Sequence, residues 1–457
     1  MSDIIAAVAT GLPGAIGIVR LSGAGAAALA GRFLRPVSGK AFEDSENRKM
    51  VYCRLLDRDG ETIDMVLAVV TRAPNSYTGE ECCEIHCHGS PAVLRETMLA
   101  LTENGARPAG PGEFTKRAFL NGRMDLTAAE SVVDLIDAES TQAARNAVGQ
   151  LEGAVRRRVD GIYEQLLAMT ARFQAVVDYP DEAVEDVERD EMREVLGAAA
   201  ESLAELSGTF RRGTYLKNGV PTAIIGSPNS GKSTLLNSLV GYERAIVTDI
   251  AGTTRDTLEE TVSFAGGRLR LIDTAGIRTS DDRVERIGIE RSVKAAEEAE
   301  IIVLVIDGSR ELSVSDLAAM DAAASGAKKV IPVLNKSDLG ILPETQSRVE
   351  ERFGKSVVMS AALGAGIEAL ESAVRDALPE TGSPCGGEII TNVRQQEAVR
   401  RAETSVRGAM EALEMGLTPD AVMSDVEISM GALGEITGRS VSQDIVSEIF
   451  ARFCVGK

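Results

Sequence analysis

The stretch Gly226-Ser227-Pro228-Asn229-Ser230-Gly231-Lys232-Ser233 constrains the fold of this chain more than any other. It fits GxxxxGK[ST] and lies between a short apolar run, Ala223 to Ile225, and the helix-like Thr234-Leu235-Leu236-Asn237-Ser238-Leu239. In that setting the glycines let the backbone curl until its NH groups, with the helix N-terminus, converge on phosphate oxygens. Lys232 is expected to meet the outer phosphates and the Ser233 hydroxyl to ligate magnesium, with Ser230, Gly231 and Thr234 in the same binding turn.

Three further stretches follow in the order that a GTP-hydrolysing domain requires. Asp273-Thr274-Ala275-Gly276 ends a strand-like run, where the carboxylate reaches the magnesium shell and the Gly276 NH the terminal phosphate. Asn335-Lys336-Ser337-Asp338 ends another. There the Asp338 carboxylate accepts two hydrogen bonds from guanine's ring NH and exocyclic amine, a pair adenine lacks, so the expected nucleotide is GTP. Ser360-Ala361-Ala362 follows the last run as the loop facing the guanine oxygen, and Gly252-Thr253-Thr254 offers a threonine to the magnesium shell. One absence carries mechanism. Ras-type enzymes place a water-orienting glutamine just after DxxG, whereas this chain has Ile277. Water must then be positioned from the polar loop Thr279 to Arg286 or from a partner chain; the alternative is a slow, factor-dependent GTPase.

Apolar runs at Ala223 to Ile225, Leu269 to Ile272, Ile301 to Ile306, Val330 to Leu334 and Val357 to Met359, separated by helix-length segments, predict a mostly parallel sheet covered on both faces. Residues 1 to about 120 instead alternate β-rich runs (Val51 to Leu56, Met65 to Thr71, Glu84 to His88) with Ala-rich stretches such as Gly25 to Phe33, the texture of a small α+β domain. Helical periodicity follows: Val159, Ile162, Leu166, Met169, Phe173 and Val177 share one face until Pro180. Thr127-Ala128-Ala129-Glu130 has the spacing of a capping box. After the turn-rich Thr381 to Gly387, helical patterning resumes near Val393. The economical arrangement is multidomain: an α+β domain over 1–120, a discontinuous α-helical domain over 121–216 and 383–457, and an inserted α/β P-loop domain over 217–382.

The 457 residues carry a net charge of -20, from 49 Lys and Arg against 69 Asp and Glu, which argues against gripping nucleic acid by broad phosphate neutralisation. Much of the excess is local, since Asp178 to Glu205 holds 11 acids and 2 bases. Arg156-Arg157-Arg158 and Arg211-Arg212 are candidate basic patches, with a solvated helix face as the default reading. No apolar run approaches the roughly 20 residues of a membrane span, and the start lacks the basic region of a signal peptide, so a cytoplasmic protein is expected. Six scattered cysteines do not form a disulfide framework. Cys82-Cys83-Glu84-Ile85-His86-Cys87-His88 has the wrong spacing for zinc, and alternation puts Cys83, Ile85 and Cys87 on one strand face.

With these motifs, Gly252-Thr253-Thr254-Arg255-Asp256, Tyr77-Thr78-Gly79-Glu80, Pro111 to Arg123 (PGEFTKRAFLNGR) and the tail Phe453-Cys454-Val455-Gly456-Lys457, the chain resembles the MnmE (TrmE) family of tRNA modification GTPases. The resemblance runs from Gly17-Ile18-Val19-Arg20 to the last residue. It implies an N-terminal folate-binding, dimerising domain, a helical domain built from both flanks, and an inserted G domain. It also implies a homodimer that works with MnmG, an FAD protein, in a heterotetramer. Together they add an aminomethyl or carboxymethylaminomethyl group to carbon five of the wobble uridine of certain tRNAs, drawing on 5-formyltetrahydrofolate or another tetrahydrofolate derivative. By position, Asn229 is implied to bind K+, with Thr248, Ile250 and Thr253 around the ion. Ser233 and Thr254 are implied to hold Mg2+, and Glu285 to orient the attacking water in place of Ile277. Arg20, Glu84, Arg123 and Lys457 are the implied folate contacts. Cys454 is either a nucleophile toward the uridine ring or a structural thiol. A GTPase switch in ribosome or RNA maturation, without modification chemistry of its own, is the competing reading.

Overall fold

A computed structural model describes residues 3–11, 14–178, 188–246, 260–272, 293–326, 329–379, 386–451 and 453–456. The chain divides into two compact units. One takes Met1–Asp137, Ala147–Ala204 and Glu397–Lys457; the other takes Ala138–Asn146 and Glu205–Gln396. Among the described residues no helix is long and apolar enough to cross a membrane.

The first unit holds a seven-stranded sheet made of β1 (Ile4–Val8), β2 (Ile16–Ser22), β3 (Leu34–Pro36), β4 (Val51–Leu56), β5 (Thr62–Thr71), β6 (Cys82–His88) and β7 (Ala106–Pro108). The strand order is β3-β4-β5-β6-β2-β1-β7, antiparallel except where β7 runs parallel to β1. Alternation decides which side chains meet the core. Cys83, Ile85 and Cys87 pack beneath the helices Ala26–Gly31 and Pro91–Glu103, which contribute Leu29, Leu94 and Leu101. Glu84 and His86 therefore lie on the opposite face of β6. Burial pushes the Cys53 thiol up to about 11 and Cys87 to about 12, and raises Cys83 as well. These thiols are core groups, in keeping with the alternation.

The helices of this unit come from both sides of the second unit in sequence, and Pro419–Thr437 packs along Ala154–Asp178. Val159, Ile162, Leu166 and Met169 are all buried, as the helical spacing requires. The expected capping box is corrected. Asp125, not Thr127, caps the helix Leu126–Ile136, accepting from the Thr127 and Ala128 NH groups, and the Thr127 hydroxyl turns back onto the same carboxylate. A carboxylate two residues upstream outcompetes a hydroxyl for the free NH groups because it is charged and sits at the positive end of the helix.

The second unit is built on a six-stranded sheet of β8 (Val220–Ile225), β9 (Glu260–Phe264), β10 (Gly267–Ile272), β11 (Ile301–Asp307), β12 (Lys329–Asn335) and β13 (Val357–Val358). Its order is β13-β12-β11-β8-β10-β9, parallel throughout except for the edge strand β9. All of Ile301–Asp307 is buried: Ile301, Val303 and Val305 join the core on one face, and Ile302, Leu304 and Ile306 join the core on the other. The sheet is thus covered on both sides, as the unbroken apolar runs predict. After β8 the chain builds β9 and β10 on one flank and β11 to β13 on the other, so the loop leaving β8 opens at a topological switch point.

Candidate functional site

The loop at the end of β8 passes into the helix Lys232–Ile246. Two residues take left-handed backbone, Asn229 with φ 62° and Gly231 with φ 100°. A Cβ on Gly231 would stand 2.0 Å from Asn335 Nδ2, and one on Gly226 would stand 2.3 Å from the Val305 carbonyl oxygen. The motif glycines are therefore required by close approach as well as by curl. Lys232 Nζ donates to the carbonyls of Gly226 at 2.9 Å and Ser227 at 2.7 Å. Burial lowers its proton affinity, while the Asp316 charge works in the other direction. Among the described residues the buried Ser230 hydroxyl has no hydrogen-bond partner, a polar group left over in a cradle shaped for phosphate.

Asn335, the last residue of β12, ties the site together. Its Nδ2 donates to the Ser230 carbonyl at 2.9 Å and its Oδ1 accepts from the Ala361 NH at 2.9 Å. Asp338 accepts from the Ser360 hydroxyl at 2.6 Å, and Ser238 in the helix donates to the Ala361 carbonyl at 3.0 Å. Lys336, at φ 63°, donates to Asp307 Oδ2 at 2.7 Å. Burial alone would raise the Asp307 carboxyl, but hydrogen bonds from Lys336 and Ser309 outweigh it and hold it below the usual carboxylate range. Three stretches far apart in sequence, 226–233, 335–338 and 360–361, thus meet where the parallel strands end, through side-chain to backbone bonds that leave the Asp338 carboxylate fixed by Ser360. Thr248, Ile250, Thr253, Thr254, Asp273, Gly276, Ile277 and Glu285 lie outside the described residues, as does Lys457.

A second cluster lies in the first unit. Arg20 on β2 and Glu84 on β6 are register partners, with Nε to Oε1 at 2.8 Å. The guanidinium carbon is 5.4 Å from the centre of the Tyr77 ring and 5.7 Å from that of Phe114. Glu84 Oε2 is 3.3 Å from His86 Nε2, and Tyr77 is fixed by its hydroxyl against Thr115 Oγ1 at 2.9 Å. The tail reaches the same region. Val455 bridges Pro111, the Gly112 NH donates to the Cys454 carbonyl at 3.1 Å, and the Gly456 carbonyl stands 3.5 Å from Arg20 Nη1. Cys454 itself is exposed. Arg123 is also exposed, its stem beside Gly79 in the loop that carries Tyr77.

Sequence reasoning gave no role to Tyr77, Phe114 or His86. For His86 the signal was present, since i and i+2 on a strand share a face. It also missed Arg117, which is buried and bonds to Asp3, Glu80 and Glu113 and so locks the Ser76–Glu80 loop beside helix Glu113–Leu120. Those charges explain much of the PGEFTKRAFLNGR stretch as scaffolding.

Residues 4–123 match the family described as GTP-binding protein TrmE N-terminus, and residues 126–454 match the MnmE helical domain. The tRNA modification GTPase MnmE of Symbiobacterium thermophilum is 41% identical over 457 residues, covering 100% of this chain and 99% of the relative. That of Acetivibrio thermocellus is 38% identical over 461 residues, covering 100% of this chain and 99% of its own. Among solved structures, Era bound to MgGDPNP and a piece of 16S ribosomal RNA aligns with 40% of this chain and 65% of its own, at 28% identity and a TM-score of 0.27. With both family matches and relatives of this identity running the full length, the chain belongs to the MnmE family of tRNA modification GTPases.

Proposed function

We propose that this GTP hydrolase is a potassium-dependent homodimer that, with an FAD-bearing MnmG-type partner in a heterotetramer, modifies carbon five of the wobble uridine of certain cytoplasmic tRNAs. The one-carbon unit comes from 5-formyltetrahydrofolate or a related tetrahydrofolate. The observation that supports this reading most is the Arg20–Glu84 pair beneath Tyr77 and Phe114. A folate offers a flat pterin whose adjacent donors suit a carboxylate, and a glutamate tail that suits cations. Glu84 supplies the carboxylate and Arg20, Arg123 and Lys457 the cations, with aromatic walls beside them. Cys454, on the tail that docks here, is the candidate thiol for the uridine ring.

In the G domain, Asp338 recognises guanine, with Asn335, Lys336, Ser360 and Ala361 shaping its pocket. Lys232 keeps its two carbonyl partners and turns its third N–H to the outer phosphates, and Ser230, Gly231 and Thr234 line the turn. Ser233 and Thr254 would hold Mg2+, Asp273 would serve its shell, and the Gly276 NH would serve the γ-phosphate. Asn229, Thr248, Ile250 and Thr253 surround K+. An ion held there would supply the positive charge that an arginine finger gives elsewhere. Glu285 orients the water that attacks the γ-phosphorus as GDP leaves. Glu285→Ala is expected to keep GTP binding, to lose most single-turnover hydrolysis, and to fail to restore the modified nucleoside in tRNA from cells lacking the protein. Unchanged hydrolysis removes Glu285 from the mechanism, equal rates in Na+ and K+ remove the potassium role, and unaltered wobble uridine in the deletion removes the modification reading.

A further inference from the structure

Ser227, the second residue of the phosphate loop, is buried, and its hydroxyl donates to Asp316 Oδ1 at 2.5 Å. Asp316 lies in the first turn of the helix Val314–Gly326 and is 1% exposed. Its other oxygen accepts from the Ser313 NH at 2.8 Å, the Ser313 hydroxyl at 2.6 Å and Arg310 Nη1 at 2.8 Å. Burying a carboxylate is costly unless its lone pairs are met, and four donors meet them here. The Ser313 contacts are explained by the start of the helix. The bond to Ser227 is not, because it joins a helix on one segment to a nucleotide loop on another.

Ser227 has a second task. Its carbonyl accepts from Lys232 Nζ at 2.7 Å, so the residue pinned by Asp316 also carries an oxygen that holds the phosphate-binding lysine. The same polar thread continues outward. Arg310 Nε is 3.6 Å from Asp307 Oδ2, the oxygen that receives Lys336 Nζ at 2.7 Å. A run of alternating charges thereby joins the loop at 226–233 to the stretch at 335–338. Burial raises the Asp316 carboxyl, and the bonds from Ser227, Ser313 and Arg310 outweigh it and bring it below the usual range. It is an anion in the folded domain, and its charge favours the charged form of Lys232 against burial.

We infer that Asp316 is a positioning residue for the phosphate loop, fixing Ser227 so that the loop backbone and Lys232 are set for the β-phosphate of a guanine nucleotide. This rests on the reading of 226–233 as the phosphate-binding loop. A nucleotide that lacks the β-phosphate should then be indifferent to Asp316. The test measures GDP and GMP affinity in the full-length protein, by displacement of a fluorescent GDP analogue, for Asp316→Asn, Ser227→Ala and the double variant. The expected result is GDP binding about tenfold weaker with GMP binding unchanged, so that the preference for GDP falls about tenfold. The double variant should lose no more than either single one, because both remove one shared bond. A preference that stays constant, whether nothing changed or both nucleotides weakened together, overturns the positioning role, and so do additive losses. Lys232→Ala separates the role of the loop from the role of Asp316. Full GDP affinity in that variant defeats the phosphate-loop reading itself, whereas loss there beside intact binding in Asp316→Asn and Ser227→Ala defeats only the role of Asp316.

Discussion

The six-stranded sheet holds its site at the ends of its strands and makes it largely of backbone, while the seven-stranded sheet holds its cluster on a partly covered face and makes it of side chains. Gly226, Gly231, the Ser230 carbonyl and the Ala361 NH are all main-chain elements of the first, bound together by Asn335. Arg20, Glu84, Tyr77, Phe114 and His86 are the second. The difference follows from sheet type. A parallel sheet is covered on both faces, so chemistry has only the strand ends left; a sheet with one face only partly covered can present charged groups across adjacent strands.

The strongest way to break this comparison is Gly231→Ala. A side chain at φ 100°, with its Cβ 2.0 Å from Asn335 Nδ2, forces the loop away from Asn335. Nucleotide affinity is expected to fall at least about 100-fold, equivalent to about 2.7 kcal/mol, with binding of 5-formyltetrahydrofolate unchanged in a titration of the same protein. Parallel loss of both ligands would show that the two sites are not built independently. Glu84→Gln is the converse, and smaller because the carboxylate is partly exposed. Folate binding is expected to weaken about tenfold, about 1.4 kcal/mol, with GTP turnover intact. Normal folate affinity in that variant would remove the carboxylate from the site.

A finer contrast lies in pH. The thiols of Cys83 and Cys87 have raised values in the folded sheet, so they stay neutral there while the same groups in the unfolded chain ionise from about pH 9. Their contribution is complete below that pH and is lost as pH rises toward the folded value of about 12 for Cys87. Thermal melts taken upward from pH 8 should show a declining transition that Cys83→Ser with Cys87→Ser flattens. A slope that survives both substitutions would assign the alkaline weakness to other groups.

How far each region could be read from sequence follows the same division. The loop at 226–233 and the strand Ile301–Asp307 were legible because backbone-built sites demand glycines at fixed spacing, and doubly covered strands demand unbroken apolar runs. Strand Glu260–Phe264 escaped because an edge strand needs only alternation, and Thr261 and Ser263 interrupt any apolar run. Arg20 and Glu84 are 64 residues apart, and no periodicity connects them; only family resemblance singled them out before the register paired them. Arg117 and Asp316 look like ordinary surface charges in sequence, because burial of a charge is decided by partners that the local pattern does not contain. Asp125 shows the same limit at short range, since two neighbouring groups compete for one helix start.

The docking of the tail has a consequence in time. Arg20 and the Gly456 carbonyl that approaches it are 436 positions apart, so at ordinary synthesis rates the first strands leave the ribosome roughly 20 to 90 s before the tail exists. Through that interval the whole α/β unit is made while the Pro111–Gly112 turn waits for its partner, the Gly112 NH still without the Cys454 carbonyl. The first cluster to be translated is therefore the last to be finished. A chain that stalls after its nucleotide-binding unit carries that unit without yet having the tail that reaches Arg20.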